Sequence, residues 1–342
     1  MTDEHRRHRL PPRAHIQPRR RDGGYIDRVD PLTGAVVDAD SNRSMTRAAR
    51  LAFLITPSAS VRIMPSFMYQ SVDVHDSPSF FVDLSDTGSG AFRNGKLLRQ
   101  PAADAFSLSA LKMQQIWDAV ELTSITSWFD RKASGTADTT NVVGATFGGF
   151  GSPLGTAYPA AHSDALPTQL GTHDDQFTQE VRIASRKGAA PLGWLGGVFY
   201  SHVRQNTTSD SYPILSPQTP SITYQTHATY AELAGFANAT LRFSSRWRSF
   251  AGLRLTRART EVGTRADGVI YPTPGLAQAD LLETPFTPRL GLMYEDGPRH
   301  VVYASASKGF RTGGTNPVRP ILCDPRGARS MMTSVPRVTV PE

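Results

Sequence analysis

The sequence predicts an all-β fold, an antiparallel up-and-down sheet of the transmembrane β-barrel type. Three observations lead to this prediction: apolar and polar residues alternate with a period of two, tight and long connections alternate along the chain, and some segments exceed the usual strand length of soluble proteins. The 342 residues are 20% charged and 39% hydrophobic. No apolar run approaches the ~20 residues of a spanning helix, so a bundle of membrane helices is excluded.

The clearest strand is predicted over residues 231–243. Its odd positions, from Ala231 to Phe243, are apolar or glycine, whereas its even positions include Glu232 and Arg242. Because successive side chains of a strand point to opposite faces, this segment has one apolar and one polar face. The pattern resumes over 247–260, where a helical spacing of apolar residues is absent.

Eight further segments show the same alternation, so that about ten strands are predicted. It is strong in three of these segments and weaker in five, and no convincing amphipathic helix competes with it. The strong segments are 60–70, 177–184 and 286–294, and the weaker ones are 45–56, 104–116, 119–131, 192–206 and 299–307.

The connections between these strands alternate strictly between tight and long. Loops longer than 12–15 residues are uncommon in compact domains, but outer-membrane barrels combine short periplasmic turns with longer extracellular loops. In hydrocarbon, strands can span only as a closed barrel, with an apolar face toward lipid and a polar face toward the lumen. The tight connections are near 57–60, 117–118, 188–191, 244–246 and 295–298, and the long ones near 74–103, 132–175, 207–223 and 263–285.

Aromatic residues near the ends of the predicted strands are expected to form girdles at the membrane interfaces. Half-buried strands of soluble proteins also favour such residues, which is the alternative explanation. The residues concerned are Tyr69, Trp128, Phe129, Tyr200, Trp247 and Tyr303.

Six segments together carry a family resemblance. They are ELTSITSWFDR (121–131), FTQEVRIAS (177–185), GWLGGVFY (193–200), LRLT (253–256), FTPRLGL (286–292) and VYASASKGFRTGG (302–314). In order and spacing they resemble the β-barrel region of TonB-dependent outer-membrane receptors. The resemblance covers residues 24–318.

The resemblance implies a 22-stranded barrel that surrounds a globular plug, of which this chain contains about ten strands. It also implies energy-dependent uptake of a large, scarce nutrient across the outer membrane of a Gram-negative bacterium. A ferric siderophore is the expected ligand, with cobalamin or a carbohydrate as alternatives. The implied partners are outer-membrane lipid and the TonB energy-transducing complex, and neither an enzyme activity nor a cofactor is implied.

The sequence also departs from the family pattern at both ends. No signal peptide, TonB box or plug is recognisable before residue 24, and the segment 319–342 is predicted to be an irregular tail. We therefore expect the chain to be a receptor fragment that is not competent for transport alone. Residues 1–23 are basic and predicted to be a disordered N-terminal segment.

The net charge of +7 is mainly a property of the chain ends. Residues 1–22 contribute +4 and residues 320–342 contribute +1, which leaves +2 for the middle. No folded nucleic-acid recognition motif accompanies the basic arm, so no nucleic-acid partner is predicted. A soluble or surface-displayed β-rich protein that binds a glycan or a protein remains the alternative function.

No catalytic, metal or cofactor site is predicted, and the ligand-binding residues are unknown. His173-Asp174-Asp175 is expected in a solvated loop, and so is His75-Asp76. The glycines of 148–155 lack the spacing of a phosphate-binding loop. Near the outer end of one strand, Arg254, Arg257 and Arg259 form either a basic patch for anionic ligands or a set of lumen charges paired with carboxylates of the plug or of neighbouring strands.

Overall fold

The described part of the chain consists almost entirely of β-strands. A computed structural model describes residues 13–140, 165–186, 191–212, 220–268, 271, 274–297 and 300–314, and describes side chains from residue 23 onward. None of the helices in these ranges has the length and hydrophobicity required to cross a bilayer. The strands are β1 (Arg13–Asp22), β2 (Ile26–Val29), β3 (Val36–Asp38), β4 (Ser44–Ala52), β5 (Ile55–Ser58), β6 (Val61–Val74), β7 (Phe92–Asn94), β8 (Ala102–Ile116), β9 (Val120–Asp138), β10 (Pro167–Ser185), β11 (Leu192–Ser211), β12 (Ile222–Arg242), β13 (Trp247–Asp267), β14 (Gly275–Glu283), β15 (Phe286–Asp296) and β16 (His300–Ser307).

Thirteen of these strands form one antiparallel sheet; eleven follow the order β1-β4-β6-β8-β9-β10-β11-β12-β13-β15-β16, and β5 and β14 lie off this path. Strand β14 pairs with one half of β13 and β15 with the other half, so β14 and β15 form one strand interrupted at Thr284–Pro285. Strands β4 and β5 likewise pair with different parts of β6, so they form one strand interrupted at residues 53–54. Apart from these two interruptions, each strand of the sheet pairs with the next one along the chain, which is the predicted up-and-down topology.

The ten predicted strands are all confirmed, and the structure adds β1, β14 and a small second sheet. Strand β14 escaped detection because its two faces do not differ in polarity: Leu276 and Leu282 share a face with Gln278 and Asp280. The alternation of connections is also confirmed, because tight turns such as 59–60 and 243–246 lie at one end of the sheet. The long connections, including 23–43 and 75–101, lie at the other end.

The strands are longer than a membrane requires. Strands β12 and β13 contain 21 residues each and β11 contains 20, whereas about 9–11 tilted residues cross the hydrocarbon core. The excess lies toward the end with the long connections, where residues 167–175 belong to β10 although a loop was predicted there. In this part of β10 both faces are polar, so the alternation that reveals a strand is absent.

The two faces of the sheet differ in composition. Leu233 and Leu255 are each 57% exposed on one face, which we call outward, together with Val198 and Leu253. On the opposite, inward face lie polar and small residues, among them Thr256, which is 5% exposed. Within the described ranges no second layer of chain covers the apolar face, as the exposure of these side chains shows.

A second sheet of three strands, β3-β2-β7, lies at the end with the long connections. It joins the connection 23–43 to the connection 75–101, and its pair β2–β7 is parallel. Ile26 and Val29 are almost completely buried and form its core, together with the buried polar residues Ser41, Asp76 and Asn94. We call these two connections and their sheet the loop module.

The prediction of a disordered segment over residues 1–23 is corrected for 13–22. This segment forms β1 and pairs antiparallel with β4, from Arg13 opposite Ala52 to Asp22 opposite Ser44. The backbone of β4 offers an edge whose N–H and C=O groups require partners, and composition alone does not reveal this pairing. Residues 1–12 and the predicted tail from 319 lie outside the described residues.

Candidate functional site: the lumen wall

The inward face of the sheet carries a mainly polar surface with some aromatic rings, such as that of Phe199, and we call this face the lumen wall. Two groups of charged residues lie on it, the Arg131 cluster (Asp104, Arg131, Asp174, Gln205) and the Arg254 cluster (Tyr230, Glu232, Arg254, Thr256). The strand register places the members of each cluster side by side on neighbouring strands. The alternation of side chains along the strands and the register between them therefore bring these residues together, although no local sequence motif contains them.

The Arg131 cluster crosses four adjacent strands, β8 to β11. The Arg131 guanidinium donates to both carboxylate oxygens of Asp104, from Nε to Oδ1 at 2.9 Å and from Nη2 to Oδ2 at 2.7 Å. Its Nη1 donates to Asp174 Oδ2 at 3.3 Å, and Gln205 Nε2 donates to Asp174 Oδ1 at 2.8 Å. One cation thus bridges two carboxylates, which locks the register of these strands and leaves an excess of negative charge.

The Arg254 cluster lies on β12 and β13. Arg254 forms an ion pair with Glu232, and its Nε donates to Thr256 Oγ1 at 3.2 Å. The hydroxyl of Tyr230 donates to Glu232 Oε2 at 2.9 Å, while the Arg254 guanidinium lies over the ring of Phe199 at 5.1 Å. These contacts hold the guanidinium flat against the wall.

A concave cavity of about 530 Å³ adjoins the Arg254 cluster. Lys308 and Arg311 line it together with Arg254 and Thr287. Three cations face one carboxylate, Glu232, across this cavity, so it suits an anionic solute or an acidic side chain.

The structure separates the three arginines that the sequence grouped together. Arg254 faces the lumen, whereas Arg257 and Arg259 lie on the outward face because they share the parity of Leu255. Arg259 forms ion pairs with Glu261 at 2.7 Å and with Asp280 on β14 at 2.8 Å. The second of the two predicted interpretations, lumen charges paired with carboxylates, therefore describes Arg254 alone, because Arg259 pairs on the outward face.

His173, Asp174 and Asp175 lie in β10 and not in a loop, which corrects the prediction. Because side chains alternate along the strand, His173 faces outward and Asp174 faces inward. His173 Nε2 lies 2.9 Å from Asp130 Oδ2, and Asp174 pairs with Arg131. The three residues cannot converge on one ion. In the described ranges, no group of three or more His, Cys, Asp or Glu side chains is arranged to hold a metal, and the glycines of 148–155 lie outside those ranges.

Four of the six predicted girdle residues lie on the outward face. Trp128, Phe177 and Tyr200 form a row across β9 to β11, with ring centroids 6.3 Å apart at each contact. Near the tight turns, the Trp247 ring lies 4.8 Å from that of Tyr294. The exceptions are Phe129 and Tyr303, which face inward, while Tyr69, Trp128, Tyr200 and Trp247 face outward and are between 38% and 52% exposed.

The loop module contains polar contacts that the sequence did not predict. Asp76 is fully buried, accepts backbone N–H donors from Ser77 and Gln100, and lies 3.4 Å from Arg28 Nε. This finding corrects the expectation of a solvated loop at His75-Asp76. No local signal could have revealed the pair, because Arg28 and Asp76 belong to different connections.

A second polar contact in the loop module involves His75. Its Nε2 lies 3.0 Å from Asp38 Oδ2 and 2.6 Å from Arg43 Nη2. Burial raises the pKa of the Asp38 carboxyl, but hydrogen bonds from His75 and Arg43 outweigh burial and hold the pKa below its ordinary value of 3.8. The three residues thus join β3 to the ends of β4 and β6.

Comparison with known proteins gives consistent results. The family model described as TonB dependent receptor-like, β-barrel, matches residues 56–327. The structure is similar to the ferric yersiniabactin uptake receptor FyuA from Yersinia pestis, with a TM-score of 0.66 at 14% identity over 84% of this chain and 40% of the receptor. It is also similar to the ferric citrate transporter FecA, with a TM-score of 0.53 at 13% identity over 78% of this chain and 36% of the transporter. The copper transporter OprC gives a TM-score of 0.51 at 13% identity over 82% of this chain and 39% of the transporter. This chain therefore spans about two fifths of the length of these proteins.

Proposed function

This chain belongs to the TonB-dependent receptor-like β-barrel family, and we propose that it forms part of the wall of an outer-membrane barrel that takes up a large, scarce nutrient. The family consists of outer-membrane receptors and transporters rather than enzymes. One observation carries the proposal: the apolar face of the sheet is exposed and uncovered, while the opposite face carries the paired charges of the lumen wall.

The energetics of a bilayer explain this arrangement. In water, exposure of Leu233, Leu253, Leu255 and their neighbours is unfavourable by ~25 cal/mol for each Å² of apolar surface, but in hydrocarbon the same surface needs no cover. The backbone of a strand in hydrocarbon must pair on both sides. The described sheet is open at β1 and β16, so a barrel in the membrane requires pairing partners beyond the described strands.

For the ligand, we propose a ferric siderophore, with cobalamin and carbohydrates as the alternatives. Two of the similar structures are a ferric yersiniabactin uptake receptor and a ferric citrate transporter, while the copper transporter shows that this fold also serves other cargo. The cationic cavity beside Arg254 suits the negative charge of many iron chelates. Energy would come from the TonB complex, as in the family.

The orientation of the sheet can be tested by cysteine accessibility in the native bacterium. The single cysteine, Cys323, is first replaced by serine, and Leu253→Cys is compared with Thr240→Cys. Leu253 faces outward in the middle of the apolar band, whereas Thr240 is exposed on the inward face. In outer-membrane fractions we expect a water-soluble maleimide to label Thr240→Cys and to leave Leu253→Cys unlabelled.

The alternative function, a soluble or surface-displayed β-rich binding protein, makes the opposite prediction. Leu253→Cys would then be labelled, since no second layer covers it in the described ranges, and the chain would be recovered without detergent. The ligand proposal needs a separate measurement, and because the chain alone is not expected to transport, we measure binding of ferric siderophores to the chain purified in detergent from outer membranes. Absence of binding for every siderophore tested would refute the siderophore proposal but leave the barrel intact.

A further inference from the structure

One part of the lumen wall is apolar and concave. It is a recess of about 280 Å³ on the adjacent strands β6, β8, β9 and β10, on the side of the Arg131 cluster that faces the long connections. Among the residues that the structure describes, no aromatic side chain lines it. We call it the apolar recess, and its inward residues form two neighbouring register rows, Val74-Ala102-Gly135-Leu170 and Val72-Asp104-Ala133-Thr172.

Small residues form the floor of the apolar recess and larger ones form its two walls. Ala102 on β8 lies opposite Gly135 on β9, and Ala133 lies two residues from Gly135 on the same face. The two valines of β6 form one wall, and Leu170 of β10 forms the other. Because β6 and β10 are three strand spacings apart, about 14 Å, the floor has room for a broad, flat group.

The apolar recess faces water if the inward face lines a lumen. Leu170 is 45% exposed there, and each Å² of uncovered apolar surface is unfavourable by ~25 cal/mol in water. The carboxylate of Asp104, at one corner, accepts a hydrogen bond from Arg131 Nη2 at 2.7 Å and is thereby neutralised. The recess therefore suits an uncharged, apolar group that covers this surface.

Elsewhere on the lumen wall, aromatic rings cover strand glycines. A methyl group on Gly291 would overlap the ring of Phe250, and one on Gly197 would overlap the ring of Phe236. At Gly135 the atoms nearest to such a methyl group belong to Ala102 and Pro101, so its backbone is open to a ring from another molecule. An apolar cavity of about 150 Å³ holds one benzene molecule, so the apolar recess has room for one substituted ring.

On the basis of the proposed barrel, we propose that the apolar recess binds an aryl group of the solute that the barrel takes up. The ring would lie flat over Ala102 and Gly135, with its edges toward Val74 and Leu170 of the same register row. An aryl group can belong to an iron chelate or to an iron-free aromatic compound, and both present the same ring to the recess. The recess would thus select for one part of the solute, separately from the cationic cavity beside Arg254.

The test is equilibrium dialysis of radiolabelled probes against the full chain purified in detergent from outer membranes. Salicylate and ferric salicylate carry the aryl group with and without iron, whereas cyclohexanecarboxylate and ferric citrate lack it. A misfit of one methylene in an apolar pocket changes affinity about tenfold or more. We expect Ala133→Leu and Ala102→Leu, which fill the recess, each to weaken binding of the aryl probes by at least about tenfold and to leave binding of ferric citrate unchanged. The tighter of the two aryl probes identifies the source of the ring.

The matched control is Ala228→Leu. Ala228 also faces inward, in the register row of Arg131 and Asp174, but lies outside the apolar recess, so the same substitution there should leave binding unchanged. Urea unfolding verifies that each variant is folded, and Ala102→Leu provides the answer if Ala133→Leu is not. Absence of binding for both aryl probes, equal weakening in the control, or equally tight binding of cyclohexanecarboxylate would overturn the proposal.

Failure of this proposal can be distinguished from failure of the proposed function. Protection of Leu253→Cys from the water-soluble maleimide, together with absence of binding for both aryl probes, rejects the apolar recess alone. Labelling of Leu253→Cys rejects the barrel and with it the lumen in which the recess lies. Binding of salicylate without binding of any ferric chelate supports the recess and rejects the siderophore as the ligand.

Discussion

The ring of Phe250 on β13 lies over Gly291, its directly paired residue on β15. A methyl group on Gly291 would overlap three atoms of this ring. The guanidinium of Arg289 also lies over this ring, 4.8 Å from the ring centroid. The same relationship recurs on the lumen wall at the pair Gly197 and Phe236. An aromatic ring over a strand glycine covers backbone that has no side chain of its own.

Gly291→Ala should therefore destabilise the sheet. Displacement of the Phe250 ring from a packed position costs about 1–3 kcal/mol, which exceeds the favourable loss of chain entropy in the unfolded state. The measurement is urea unfolding in detergent micelles followed by tryptophan fluorescence. Gly235→Ala is the control, since a methyl group there meets no atom within 4 Å, and it should be neutral or slightly stabilising. Equal effects of the two substitutions would contradict the role of the ring.

Leu253→Arg should impair membrane insertion. A cation on the lipid face of a barrel costs about 2–4 kcal/mol near the bilayer centre, whereas lumen positions tolerate polar residues. Thr240→Arg on the inward face is the matched control and should insert normally. The amount of each variant in urea-washed outer membranes measures the difference. Similar amounts of the two variants would mean that the outward face does not contact lipid.

Asp76→Asn should loosen the loop module without unfolding the large sheet. Removal of one partner of a buried ion pair costs about 3–5 kcal/mol, since the remaining charge of Arg28 is left buried. Hydrogen exchange should accelerate at Ile26 and Val29 and stay slow in β12. Asp83→Asn, an exposed change in the same connection, should leave exchange unchanged. Slow exchange at Ile26 in Asp76→Asn would show that the pair is dispensable.

The contact between Asp38 and His75 should open in acid. The pKa of Asp38 is lower in the folded state than in the unfolded state, so its stabilising contribution is present above pH 3.8 and is lost as the pH falls through the lowered value. The protection factors of the β3 amides, which correct for the slower intrinsic exchange in acid, should therefore stay high at pH 5 and fall at pH 3. Asp38→Asn should show low protection factors at both values. An acid-induced change of the same size in that variant would assign the effect to another group.

The sequence predicted the sheet better than the loop module because period-two alternation reports which face meets lipid. Leu233 and Glu232 differ in polarity, and the structure places them on opposite faces as predicted. The signal fades where both faces meet water, as at His173 and Asp175, so β10 was predicted too short. The pair of Arg28 and Asp76 depends on contact between residues far apart in the chain, which no local pattern encodes.

The parallel pairing of β2 with β7 has a mechanical consequence. Together with the contact between Arg28 and Asp76 it fastens two connections that leave the sheet at separate positions. A displacement that starts in one connection is transmitted to the other, because bending either alone would break backbone hydrogen bonds. We therefore expect the two connections to move together and not independently, so that a force applied to one is shared by the attachments of both to the sheet.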